Sequence, residues 1–236
     1  MAFAAMLSVG VVSCGKEDNA NGNEGSGTEQ PTPDPQPTAD WVDLGLPSGL
    51  LWANCNLGAN APEEYGNYYA WGETTPKEVY NWSTYKYCTV DEDGNLQTLT
   101  KYNTSSSYGT IDNLTTLEAM DDAATAALGN GARTPTKEEW QELIDNTTAE
   151  WTTLNGINGR KLTASNGNSL FLPASGFRSS SEFGYVGSQG NYWSSSLRTS
   201  DPDASCACGS YFGSGGQVVD NSTRDFGFPV RAVRQN

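Results

Sequence analysis

The sequence predicts an α+β fold, an antiparallel sheet carrying two helices, and three observations point to it. Short β-type runs separated by Gly and Asn-Gly punctuation recur from Trp41 onward, so strands and ordered loops dominate. Two segments depart from that pattern with a helix-start signature, a Thr followed three residues later by Glu. Residues 14–40 are rich in Asn, Gly, Glu, Thr and Pro without apolar periodicity and cannot bury enough surface to fold, which leaves 41–236 as one domain able to hold its own core.

The elements follow in order. Leu44-Gly-Leu-Pro-Ser-Gly-Leu50 reads as a turn between apolar flanks. Thr115 and Glu118 open a predicted helix whose face is Leu117, Met120, Ala124 and Leu128, with Gly129 placed as its C-cap. Thr136-Lys-Glu-Glu139 is a second capping box, followed by the apolar stripe Trp140, Leu143 and Ile144, so a helix is expected from Lys137 to about Asn146. Lys161-Leu-Thr163 faces Ser169-Leu-Phe-Leu172 across Asn166-Gly-Asn168 as a hairpin. Tyr192–Ser195, Cys206–Phe212, Gln217–Val219 and Phe228–Val233 then read as successive strands.

Leu7-Ser-Val-Gly-Val-Val-Ser-Cys14 is a short apolar run ending in a small residue and a cysteine, the pattern of a bacterial lipobox. It predicts a signal peptide over 1–13, lipidation at Cys14 and a lipid-anchored tether over 14–40. Gly15-Lys16-Glu17-Asp18 resembles the Lys-plus-acidic export signal of Bacteroidetes lipoproteins, which implies an outer-membrane protein facing the cell exterior. Contact with the membrane is then expected through the anchor only.

Composition excludes several function classes. The formal charge of −15, from 28 acidic and 13 basic residues, repels phosphate backbones, so nucleic acid is not an expected partner. The chain has no histidine, which removes Ser-His-Asp and Cys-His constellations and imidazole-ligated zinc. Beyond Cys14 the cysteines are Cys55, Cys88, Cys206 and Cys208, in a compartment where disulfides persist, and their pairing is open.

Local patterns that imitate chemistry have plainer readings. Cys206 and Cys208 lie two apart on a strand and share a face, but a metal site needs further ligands, so a close disulfide or two free thiols is expected. Asp91-Glu-Asp-Gly-Asn95 begins like a calcium loop, yet its twelfth position is Tyr102, so a polar hairpin turn is expected. Asp121 and Asp122, adjacent on a helix, diverge by about 100° and suit capping or a loop contact better than a glycosidase pair. Tyr65, Tyr68, Tyr69 and Trp71 could stack sugars but read first as core. No metal or cofactor is expected.

The runs WVDLGLPSGLLWANCNLGA from Trp41, YGNYYAWGETTPK from Tyr65, RTPTKEEWQELIDN from Arg133, LPASGFR from Leu172, GNYWSSS from Gly190 and GFPVRAVR from Gly227 resemble the Fibrobacter succinogenes major paralogous domain of Bacteroidetes surface lipoproteins. The resemblance spans Trp41 to Arg234. It implies a C-type-lectin-like fold, with both chain ends in one sheet and long irregular loops as a binding face, in the same broad group as the variable proteins of diversity-generating retroelements. The chain lacks the Glu-Pro-Asn or Gln-Pro-Asp loop and the Trp-Asn-Asp strand of calcium-dependent sugar-binding lectins. In such variable proteins, randomised adenines yield Cys, Arg, Ser, Asp, Gly and Tyr but not Lys, Glu, Gln, Met or Trp. From Leu197 to Arg234 the excluded types appear only as Gln217.

These readings converge on a non-catalytic adhesion or ligand-binding module for a protein or glycan at the cell surface. Its expected contact face comprises Arg198, Ser200, Asp201, Asp203, Ser205, Cys206, Cys208, Tyr211, Asp220, Asn221, Arg224, Asp225 and Phe226. Arg198 and Arg224 would pair acidic groups, Asp201 and Asp203 would accept hydrogen bonds, and Tyr211 or Phe226 would supply apolar area. The alternatives are a structural or tip component of a surface appendage and a carbohydrate-active enzyme.

Overall fold

The computed structural model describes residues 40–200 and 204–236. Cys14, the signal and most of the tether, and Asp201 and Asp203 lie outside the described residues. The architecture is α+β, with small antiparallel sheets and two short helices.

The predicted N-terminal turn joins β1 (Trp41–Asp43) to β2 (Leu51–Ala53), closed where Gly49 N donates to Leu46 O at 2.9 Å. The far edge of β2 pairs with β13 (Val233–Arg234), so both ends of the domain share one sheet. Phe228–Val233 is not the continuous strand expected. Pro229 cannot donate to a ladder, and the segment instead bridges from Tyr69 to Leu57 to Ala53 before β13 begins. Between these ends β3 (Cys88–Val90) and β4 (Leu96–Leu99) form a hairpin. Its turn is the polar one expected, with Asp91 Oδ1 accepting from the Asp93 and Asn95 amides at 3.0 and 2.8 Å.

The second capping box forms as predicted. In α2 (Lys137–Asp145) Thr136 accepts from the Glu139 amide, Glu139 accepts from the Thr136 amide, and Trp140 and Leu143 are buried. The Thr115–Glu118 box does not form. Leu117 N and Thr115 O bond to Ser195 and Leu197, so this stretch lies against a strand, and Met120 is 75 % exposed. The helix that follows, α1 (Ala123–Leu128), is capped by Asp122, whose Oδ1 accepts from Ala124 N and Thr125 N. A short polar side chain satisfying orphan amides decides where that helix begins.

β5 (Thr147–Leu154), β6 (Ile157–Ala164) and β7 (Ser169–Pro173) form a meander, with the β6–β7 register as expected, Lys161 opposite Phe171 and Thr163 opposite Ser169. Then come the hairpin β8 (Phe177–Ser179) and β9 (Glu182–Gly184), and a second meander of β10 (Gly190–Leu197), β11 (Cys206–Gly213) and β12 (Gly216–Thr223).

β10 is buried along its whole length and divides the core. By strand alternation Tyr192 packs with Trp52, Trp140, Leu162 and Leu172 on one side, while Trp193 packs with Trp71 and Phe228 on the other. The polar atoms of three of these rings end on backbone carbonyls: Trp193 Nε1 on Tyr69 O (2.8 Å), Trp71 Nε1 on Ser194 O (2.8 Å) and Tyr192 Oη on Pro173 O (2.9 Å). Each such bond removes the cost of burying an N–H or O–H and fastens a neighbouring segment to the central strand.

Candidate functional site

The expected contact face is only partly a surface. Ser200 and Asp220 are exposed, and Arg198, Asn221 and Phe226 are half-buried. Asp220 Oδ1 accepts from the Asn221 amide and side chain, both at 2.9 Å, so these two form one polar unit on β12. Tyr211 is also half-buried, but its ring stands edge-on to Phe228 and its hydroxyl is enclosed.

Five of the expected residues belong to the interior. Arg224 has no solvent exposure; its guanidinium lies over Trp71 and Tyr85 at 5.6 and 5.7 Å and donates to Lys101 O and Tyr102 O. A cation committed to backbone carbonyls inside the core cannot meet an acidic ligand. Asp225 is buried beside it, and burial pushes its carboxyl above the usual range. Ser205, Cys206 and Cys208 are buried too. Cys206 and Cys208 share one face of β11, as alternation requires, and α2 packs across that strand. Neither is assigned to a disulfide, and burial raises the Cys208 thiol. Of the residues permitted to a diversified segment, then, Cys206, Cys208 and Arg224 are frame rather than face.

The motifs with plainer readings keep them. Tyr68, Tyr69 and Trp71 are core, and Tyr65 is half-buried. Asp122 caps α1 and also binds Thr134. Asp121 is enclosed by Lys101, Tyr102 (2.7 Å), Lys86 and Tyr87. Burial alone would raise the Asp121 carboxyl, but these four donors outweigh it and hold it down at about 2. Among the described residues there is no group of three or more His, Cys, Asp or Glu placed to hold a metal ion.

The sequence reasoning passed over the hairpin β8–β9 and the turn after it. Phe183 is 59 % exposed, Tyr185 60 % and Val186 42 %. They form an apolar platform on a domain whose other aromatic rings are mostly covered. Phe183 stands on the Arg178 guanidinium at 4.8 Å and edge-on to Tyr68. Tyr185 meets Phe177 at 5.8 Å, and Phe177 stacks on Phe226 at 5.3 Å, which joins the platform to the one expected residue of matching chemistry.

The platform is held in place. Tyr185 adopts φ +56, a left-handed conformation that costs a non-glycine residue roughly 1 kcal/mol or more. Its carbonyl accepts from Ser188 N and Gln189 N at 3.0 Å, and Gly187 N donates to Ala174 O at 2.8 Å. Beneath it Gly176, at φ +61, has no room for a side chain, since a Cβ there would lie 2.0 Å from Gly184 O. The available signal was Phe183-Gly-Tyr-Val186 flanked by Ser and Gly, an apolar cluster inside turn-type composition.

Among the described residues no helix is long and apolar enough to cross a membrane. The chain matches no protein-family model, no curated protein and no solved structure.

Proposed function

We propose that the protein is a lipid-anchored, outward-facing outer-membrane lipoprotein that binds a protein or glycan ligand without catalysis, through the platform of Phe183, Tyr185 and Val186 extended by Phe226. The observation that carries this reading is an exposed aromatic residue, Tyr185, fixed in a left-handed backbone on a rigid support. Aromatic rings supply large contact area at small entropic cost, and a preformed platform does not have to be ordered on binding. A C-type-lectin-like fold is supported by the pairing of the two chain ends and by the long segments outside strands and helices between β2 and α2.

The test is a screen of the full chain against glycan and host-protein arrays, repeated with Tyr185→Ala. We expect at least one ligand whose binding weakens about tenfold or more in the variant, the size of loss typical of a hot-spot ring. A ligand bound equally well by both proteins would place the face elsewhere.

A second reading, a structural component of a surface appendage, draws on β12, which is an edge strand of its sheet and carries Val218 at 54 % exposure. Self-assembly that Val218→Asp abolishes would favour it over ligand capture.

A further inference from the structure

The outer face of the β5–β6–β7 meander forms a second concavity, lined by none of the platform residues. It is an open cleft of about 470 Å³ between that sheet and the loop after β2. This lies within the span of roughly 300–1,000 Å³ usual for small-molecule sites.

Its floor is apolar. Phe171 is buried, and its ring lies over Gly159, where a Cβ would come within 2.5 Å of Phe171 Cζ. Leu154 and Pro62 also line it. Its rim is polar: Glu150 and Lys161 are direct cross-strand partners, Thr152 follows on the same face, and Asn54 faces them from the loop. None of these four side chains hydrogen-bonds to another described residue or pairs with an opposite charge.

The walls do not depend on a ligand for their position. Arg231, without solvent exposure, donates to Asn54 O (2.7 Å) in the loop and to Phe171 O (3.1 Å) in the floor. At one end Asn155 Nδ2 donates to Glu63 Oε1 at 2.6 Å, which ties the turn of the sheet to the loop again.

We propose that this cleft binds a neutral saccharide of one or two rings. The rim carries one acid and one base, so it has no net charge to favour an anion or a cation. Carboxylate, ammonium, hydroxyl and amide groups without a partner among the described residues suit a ligand that offers vicinal hydroxyls as both donors and acceptors. The apolar floor suits the C–H face of a pyranose ring. The site is distinct from the platform, and its failure leaves the platform reading standing.

The experiment is saturation-transfer NMR and calorimetry on the full chain with maltose, cellobiose, lactose and chitobiose, and with a neutral tripeptide of similar size. It is repeated with Glu150→Ala/Lys161→Ala and with Tyr185→Ala. We expect one or more of the disaccharides to bind, the double variant to lose about tenfold or more in affinity, as removal of one or two ligand hydrogen bonds predicts, and Tyr185→Ala to bind normally. Glu150 and Lys161 are both exposed, so the double variant keeps its fold, which circular dichroism checks. No binding by any of the four sugars, equal binding by the double variant, or binding of the peptide in their place would each overturn the proposal.

Discussion

Strand β10 and the hairpin β8–β9 use the same residue types for opposite ends. Around β10, Tyr192, Trp193, Trp71 and Trp140 are buried, and each polar ring atom has a backbone carbonyl to meet. On the hairpin, Phe183 and Tyr185 stand more than half in solvent, and Tyr185 occupies a backbone conformation it would not choose. An aromatic side chain becomes frame when a second layer covers its ring and a carbonyl receives its N–H or O–H. Where the backbone is fixed but no layer arrives, it becomes face.

The largest effect should come from the frame. Trp193→Ala removes a ring stacked on Phe228 at 4.1 Å and one of the two donors to Tyr69 O, the other being Phe228 N, so a loss of about 3–5 kcal/mol is expected in urea unfolding. A loss below about 1 kcal/mol, the level of an ordinary surface change, would break the distinction between frame and face.

A smaller effect is expected at Asp121, which gathers the aromatic frame by charge rather than by packing. Asp121→Asn turns one acceptor oxygen into a donor facing phenols and ammonium groups, at a cost of about 2 kcal/mol. Its folded pKa, about 2, is below the ordinary 3.8, so its contribution is present above about pH 4 and lost as pH falls toward 2. The wild-type protein should therefore lose about 2 kcal/mol over that interval that the variant does not. Parallel stability curves for the two proteins below pH 4 would show that the carboxylate is not a keystone.

The smallest effect is the sharpest test. Tyr185→Gly relieves a left-handed φ and gives up only a partial ring contact with Phe177, so stability should rise by between zero and about 1 kcal/mol while ligand capture falls. A clear loss of stability would make Tyr185 a frame residue after all.

Much of the frame was legible because its signals are local. The Thr136–Glu139 box, the turn from Leu44 to Leu50 and the β6–β7 register depend on residues a few positions apart, and they form as read. β5 was missed although Asn155-Gly156 marks its hairpin with φ +48 and +85, because Thr147–Leu154 follows a helix directly. The first helix was read too long because the Thr115 spacing competes with pairing to β10, a partner some eighty residues away that no local window contains.

The candidate site was legible only where chemistry and exposure coincide. Phe226, Asp220 and Asn221 remain near a surface, whereas Arg224 lies against rings contributed by Trp71 and Tyr85, more than a hundred residues earlier. By itself the sequence determined the α+β class, most hairpins and one helix, since propensity, capping and turn chemistry act within a few residues. The tertiary structure alone decided which rings are covered, which arginine is spent on carbonyls and where a cleft opens. Burial is a property of chain segments brought together from far apart, and no spacing within one segment encodes it.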